Sequence, residues 1–507
     1  MAAMAEDEVV RIVARARAAQ AAWAELRVDE RARRLAPLKD RVLERAGAIA
    51  DCLHEEVGKP SVEGLLGEVL PSADLVRYWT ESIAELLEPA DVEMDSIAYP
   101  GKRGTIFREP RGVIGVIMPW NFPVALPLRT VVPALLAGNA VVFKPSEVAP
   151  RSGALVAGLF AGLVPDGVIG IAQGGGEVGA ALCAADVDLV VFTGSVATGR
   201  AVAHACAERL IPCSLELGGK DAAIVLADAD LERAANGVVW GAMMNAGQNC
   251  ASVERVYVDS RIADAFTKRV CAVVSSLRPG IDVAPLATST QRAVVHRHVE
   301  DSIKSGAEIL ARGPEGSRGS VPPRPQDLAD DRETRAYRPA VVRVQSDDSA
   351  LMRDETFGPV LPIAVVDGVE EALERANASR YGLTASIWTR DHKKALGIAR
   401  RLHVGVVTIN NHGFTGAIPA APWGGRGETG WGITGSPLAL DALTRPRFVL
   451  ADRSRAKREL WWFPYTPALT TIASSMAALR CSSRGLLARV RALLSLVRAM
   501  VARSREG

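Results

Sequence analysis

Cysteine is scarce in this chain of 507 residues, with seven, at positions 52, 183, 206, 213, 250, 271 and 481. The number is odd, and no two have the C-x-x-C spacing of a metal site. That excludes a secreted disulfide scaffold and predicts free thiols in a reducing, cytoplasmic compartment. An excess of one charge is also missing: 60 Lys and Arg face 58 Asp and Glu, a net +2, which argues against a polyanion-binding protein. The first residues lack the apolar stretch of a signal peptide, and Glu6, Asp7, Glu8 and Glu25 do not suit an organelle transit peptide. There is no internal repeat, which excludes a solenoid. With 48% hydrophobic and 23% charged residues, the chain is not disordered, collagen-like or a coiled coil. Its length is that of roughly three domains.

The hydrophobic pattern changes along the chain. Val9 to Leu70 reads as helix, punctuated at Gly58-Lys59-Pro60. A hairpin is expected from Ile97 to Phe107, with Asp95 to Tyr99 pairing with Thr105 to Phe107 across Pro100-Gly101. From Val113 onward, short apolar β-branched runs alternate with helical stretches. Strands are expected at 113–117, 140–143, 168–171 and 189–192, with helices between them. A second series runs from Ala222 to Ile409, with strands near 223–226, 253–258, 341–344, 361–366, 385–388 and 405–409. Runs that are apolar on both faces and separated by helices imply parallel sheets in an α/β fold. Gly313 to Tyr337 reads as a polar, Pro-rich surface loop.

Several segments carry chemistry. Pro119-Trp120-Asn121-Phe122-Pro123 follows one expected strand, and Phe143-Lys144-Pro145-Ser146-Glu147 follows the next. Phe192-Thr193-Gly194-Ser195 leads from a strand into a helix through Thr198-Gly199. Leu215-Glu216-Leu217-Gly218-Gly219-Lys220 precedes Gly247-Gln248-Asn249-Cys250 by one helical stretch. Glu355-Thr356-Phe357-Gly358-Pro359 and Pro422-Trp423-Gly424-Gly425 come later. A thiolate is a strong nucleophile towards a carbonyl carbon and can carry an acyl group as a thioester. Cys250, in a turn rich in backbone N–H groups, suits that role, with a thiol whose pKa the turn could lower. The other six cysteines read as small buried hydrophobes. Gly194-Ser195 opens a helix after a strand, where N–H groups favour a pyrophosphate.

In their order and spacing, these motifs resemble the aldehyde dehydrogenase superfamily from about Trp23 to Leu450. The resemblance implies an NAD-dependent, hydrolytic enzyme with a Rossmann-like cofactor domain, an α/β catalytic domain and a small β oligomerisation hairpin. It divides the chain into residues 1–91 and 111–217 for NAD, 218–432 for catalysis, 92–110 and 433–452 for oligomerisation, and 453–507 as an extension. It assigns catalysis to Asn121, Glu216 and Cys250. Asn121 and a backbone N–H hold the oxyanion, Cys250 is the nucleophile and Glu216 is the base. Trp120, Lys144, Glu147, Gly194, Ser195, Thr198, Glu355 and Phe357 become cofactor residues, with Lys144 and Glu147 at the adenine ribose. A Glu there disfavours the extra phosphate of NADP. No metal is expected. Arg129 resembles the residue that meets a substrate carboxylate in semialdehyde-oxidising members, or else it pairs with a protein carboxylate. The chain departs from the family at Arg426-Gly427-Glu428-Thr429-Gly430, a segment that lies near the substrate entrance in the family. Members are homodimers or homotetramers. Coenzyme A acylation and a non-catalytic scaffold are the alternatives; relatives that form acyl-CoA commonly lack the Glu at position 216.

The resemblance ends near Leu450. From Ala451 onward, 11 basic residues face 3 acidic ones, a net +8 that leaves −6 for the rest. Leu486, Leu487, Val490, Leu493, Leu494, Val497, Met500 and Val501 share one helical face, with arginines mostly elsewhere. This basic amphipathic helix either docks on protein or makes peripheral contact, through 461–505, with the inner surface of an anionic membrane. No nucleic acid is expected as a partner.

Overall fold

The computed structural model describes residues 2–95, 99–314, 335–413, 415–455, 457–481, 483 and 485–505. Two compact units are present, 1–89 with 107–447 and 90–106 with 448–507.

The first unit contains two sheets. In chain order, the first is built from β1 (Val113–Ile117), β2 (Ala140–Lys144), β3 (Ile169–Ile171), β4 (Leu189–Thr193) and β5 (Cys213–Glu216), all paired in parallel. Their order across the sheet is β3-β2-β1-β4-β5. Side chains alternate between two cores. Ile114 and Val116 enter one with Trp23 and Trp79, and Val113 and Ile117 enter the other with Val9 and Val13. Burial on both faces explains why these strands are continuously apolar.

The second sheet contains β6 (Asp221–Val225), β7 (Val253–Asp259), β8 (Glu308–Arg312), β9 (Ala340–Arg343), β10 (Val360–Val366), β11 (Thr384–Trp388) and β12 (Val406–Ile409). The order is β8-β9-β10-β7-β6-β11-β12, parallel except where β8 meets β9.

The N-terminal helical stretch is broken into Ala2–Glu25, Val28–Leu35, Leu38–Glu44 and Ala46–Val57. Gly58 ends the last of these at φ 76°, a conformation that glycine adopts without strain. The expected hairpin needs correction. Lys102–Pro110 pairs with Ala90–Val92, in the register Asp91↔Thr105. Asp91 sets that register by accepting from Arg103 at 2.7 Å and from the Thr105 hydroxyl at 3.2 Å. Residues 96–98 of the expected first strand lie outside the described residues, as do 315–334 of the expected loop. Lys102–Pro110 also neighbours a strand at Thr444–Asp452.

The second unit ends in two packed helices, Pro467–Arg480 and Leu486–Arg505. Among the described residues, no helix is long and apolar enough to cross a membrane.

Candidate active site

In an open parallel sheet, a ligand crevice forms where the strand order reverses, at the carboxyl ends of the strands. Here the reversal lies between β1 and β4. Trp120 and Asn121 follow β1. Lys144 ends β2, and its buried ammonium pairs with the more exposed Glu147 at 3.2 Å. Gly194 and Ser195 follow β4. Ser195 caps the helix Val196–Glu208, its Oγ accepting the Thr198 N–H at 3.3 Å. Trp120 and Phe357 meet edge to face, with ring centroids 5.6 Å apart. These groups fit a nicotinamide dinucleotide. A helix N-terminus suits a pyrophosphate, the Lys144–Glu147 pair offers a donor and an acceptor for ribose hydroxyls, and the two rings form an apolar wall.

Glu355 is reached from the second sheet. Its Oε1 accepts the Gly219 N–H at 3.1 Å, and burial, helped by the Glu254 charge, pushes its pKa up to about 8. A Cβ on Gly218 would meet the Glu355 carboxylate, which would have to move from its present position. Phe357 has φ 52°, a strained conformation for an aromatic residue. Glu254 holds it there. Its carboxylate accepts the Thr356 and Phe357 N–H groups, both at 2.7 Å, while Lys220 Nζ neutralises it at 2.6 Å.

On the substrate side lies a cavity of about 620 Å³, lined by Cys250, Arg129, Phe122, Trp240 and Trp423 among others. Cys250 follows a turn in which Asn245 and Ala246 have φ 53° and 55°. Such strain persists only when the surroundings enforce it. Glu63 accepts the Asn245 N–H at 3.0 Å, and Asn245 Nδ2 donates to the Asn121 and Gln248 carbonyls, both at 3.0 Å. Gln248 Oε1 in turn accepts the Ala287 N–H at 2.7 Å.

The Asn121 backbone is held from a second side by Lys59, whose Nζ donates to its carbonyl at 2.8 Å. Lys59 is fully buried and paired with Glu68 at 2.5 Å. Glu68 also accepts the Val124 and Ala125 N–H groups at 2.8 and 3.1 Å, at the start of the helix Ala125–Leu136 that carries Arg129. One carboxylate therefore fixes both Lys59 and the N-terminus of that helix. The Asn121 side chain is buried, and its Oδ1 has no hydrogen-bond partner among the described residues.

Glu216 ends β5 and is buried, and its Oε1 has no aligned hydrogen bond among the described residues. Burial raises its pKa, while the Thr434 hydroxyl and the Arg129 charge pull the other way. Half-buried Cys250 behaves differently from the sequence expectation. Desolvation pushes its thiol pKa up, and the charges of Asp221, Glu216 and Glu355 add to the rise, with Arg129 opposing them. The turn's N–H groups do not outweigh the loss of water.

Arg129 has no ion-pair partner among the described residues, and its guanidinium lies 5.7 Å from the Trp423 ring centroid. Cys250 and Arg129 thus share the cavity wall. Asn121 and Glu216 stand beside it, and Lys144, Glu147, Gly194, Ser195 and Thr198 lie in the strand-end crevice. Of the other cysteines, 52, 183 and 206 are buried, whereas 213, 271 and 481 are only half-buried. The 426–430 segment is not among the residues that line the cavity. Thr429 donates to the Gly218 carbonyl at 2.9 Å and the Leu217 N–H donates to the Thr429 carbonyl at 2.9 Å, so the segment braces the connector after Glu216.

The family model of the aldehyde dehydrogenase family matches residues 1–449. The chain belongs to the aldehyde dehydrogenase family. Relatives of this chain include dehydrogenases named for NAD and for NADP. The chain is 39% identical to a 4,4'-diapolycopene aldehyde oxidase of Methylomonas sp. over 461 residues, covering 89% of this chain and 83% of the relative. It is 34% identical to a benzaldehyde dehydrogenase [NAD(+)] of Pseudomonas putida over 453 residues, covering 87% and 88%. The crystal structure of an NAD-dependent aldehyde dehydrogenase from Sinorhizobium meliloti superposes with a TM-score of 0.83 at 32% identity, covering 90% of this chain and 89% of the other.

The aldehyde dehydrogenase motifs were legible in the sequence, but the residues that support them were not. Gly58-Lys59-Pro60 reads only as a helix break, and Glu63, Glu68 and Glu254 carry no local signal.

Proposed function

We propose that this aldehyde dehydrogenase oxidises an aldehyde to the free acid through a covalent thioester on Cys250, with NAD preferred. Support comes chiefly from one juxtaposition: a buried Glu216 carboxylate is coupled electrostatically to the Cys250 thiol and to Arg129. Bound NAD supplies the hydride acceptor. Cys250 Sγ gives up its proton to solvent and forms a bond to the carbonyl carbon. The Asn121 side-chain amide and the Cys250 N–H hold the oxygen, which carries negative charge until hydride leaves the same carbon. The resulting acyl group stays on Sγ. Glu216 then takes a proton from water, whose oxygen attacks the thioester carbon, and the thiol is regenerated as the acid departs. A buried carboxylate with a raised pKa is a stronger base than an exposed one, which suits this step.

NAD preference rests on Glu147, whose carboxylate stands at the end of β2 beside Lys144. A 2'-phosphate placed there would face a like charge. Glu147→Ser is expected to shift the NADP to NAD ratio of kcat/KM upward by about tenfold, equivalent to about 1.4 kcal/mol. An unchanged ratio would remove Glu147 from cofactor selection.

Arg129 supports a semialdehyde as substrate, since a cation without a protein carboxylate partner in the cavity can pair with one on the substrate. Arg129→Ala is expected to lower the kcat/KM ratio of succinic semialdehyde to hexanal by roughly tenfold to a hundredfold, the worth of a charged hydrogen bond of about 1.5–3 kcal/mol. Equal losses on both aldehydes would assign Arg129 to the thiol instead.

A further inference from the structure

We propose that the helical hairpin at the C-terminus is a docking surface for an anionic lipid bilayer. The helix Leu486–Arg505 packs through its small residues and displays its large ones. Ala492 and Ala499 are buried, as are Ile472, Ser475 and Ala478 on the partner helix Pro467–Arg480. Leu486, Leu487, Val490, Leu493, Leu494, Val497, Met500 and Val501 are 45–79% exposed. At about 100° per residue they form one unbroken stripe about 140° wide. A helix that buries Ala492 and Ala499 and exposes these eight large apolar side chains is arranged for an apolar phase outside the protein.

The edges of the stripe select the charge of that phase. Arg489 borders one side, and Arg491 and Arg498 border the other. Arg491 and Arg498 also line an open groove of about 500 Å³ between the two helices, together with Thr471 and Ser495. Two guanidiniums and two hydroxyls in one groove match the phosphate of a lipid headgroup. The segment as a whole carries the net +8 counted from Ala451 onward.

A third feature sits on the same hairpin. Trp461, Trp462, Phe463 and Tyr465 are all exposed. Arg503 ties this aromatic loop to the end of the second helix, donating to the Trp462 carbonyl at 2.9 Å and to the Thr466 hydroxyl at 3.3 Å. Exposed aromatic rings are characteristic of the membrane–water interface, and here they belong to the same hairpin as the apolar stripe. Arginine-flanked leucines joined to exposed tryptophans favour a lipid surface over a second copy of this chain, because facing copies would oppose like charges.

The test is flotation of the full-length protein with vesicles of phosphatidylcholine alone or with 30% phosphatidylglycerol, in buffer of about 0.1 M salt. The protein is expected to float with the anionic vesicles and not with the neutral ones. Leu493→Glu with Val497→Glu, and separately Arg491→Ala with Arg498→Ala, are expected to lower the bound fraction by at least about tenfold. Both pairs are solvent-facing, so hexanal oxidation in solution should be unchanged, which reports folding independently of lipid. Equal behaviour with the two vesicle types would overturn the proposal. So would loss of a dimer in sedimentation on introducing the two glutamates, with no lipid binding by the parent protein, because the stripe would then be covered by a second copy.

Discussion

Cys250→Ala is expected to abolish aldehyde-dependent NADH formation, by roughly 10⁴-fold or more, while leaving the fold and dinucleotide binding intact. Cys250 is the cysteine that lines the cavity, so no other thiol can take over the attack. Removing Sγ deletes the atom that forms the covalent bond, and the remaining oxyanion donors have no adduct to stabilise. Dinucleotide binding, read by protein fluorescence, should stay near the parent value because the strand-end crevice is untouched. The state of the thiol adds a sign. Burial holds Cys250 protonated above the ordinary cysteine range, and Arg129 opposes this. Alkylation of Cys250 by iodoacetamide should therefore rise with pH through neutrality and beyond. In Arg129→Ala it should be slower at every such pH, because the opposing cation is gone. Retained turnover in Cys250→Ala would refute the assignment.

Glu216→Gln is the second large effect. The substitution keeps the shape and removes the base. Steady-state turnover is expected to fall by about 10²–10⁴-fold, the usual worth of a positioned general base. In a rapid-mixing experiment, one equivalent of NADH per site should still appear as a burst, because hydride transfer precedes the water step. Absence of the burst together with slow turnover would move Glu216 to deprotonation of the thiol. The parent enzyme should show the matching pH dependence. Glu216 must be ionised to accept a proton, and burial raises its folded-state pKa. Steady-state turnover should therefore increase with pH through an inflection above the ordinary glutamate value of about 4.3. That inflection should be missing from Glu216→Gln.

How much of this was legible in the sequence depended on where each residue's partners lie. Val113–Ile117, Ala140–Lys144 and Leu189–Thr193 were read almost to the residue, because double-sided burial makes such strands continuously apolar. Cys213–Glu216 was not read as a strand, since four residues ending in the buried Glu216 carry too little apolar pattern. Glu308–Arg312 was missed because Glu-Ile-Leu-Ala-Arg has helix-favouring residues, and edge pairing with Ala340–Arg343 overrides them. The pairing of Ala90–Val92 is not legible because three residues, Ala-Asp-Val, carry no strand pattern of their own. In the site, the residues proposed as nucleophile, oxyanion donor and base, Cys250, Asn121 and Glu216, stand in recognisable motifs. The clamp of Lys59, Glu63 and Glu68 did not, because it exists only as contacts between helices and loops far apart in the chain. The thiol's raised pKa was also hidden, since its turn can be read from sequence but its desolvation cannot.

The central claim is a thioester on Cys250 that Glu216 helps water to cleave. The most direct measurement is the mass of Glu216→Gln quenched in acid within the first turnover with NAD and hexanal, followed by peptide mapping. The account predicts a hexanoyl increment on the peptide that contains Cys250, absent without NAD and removed by hydroxylamine. An unmodified Cys250 peptide alongside a full burst of NADH, or the acyl group on another residue, would contradict it.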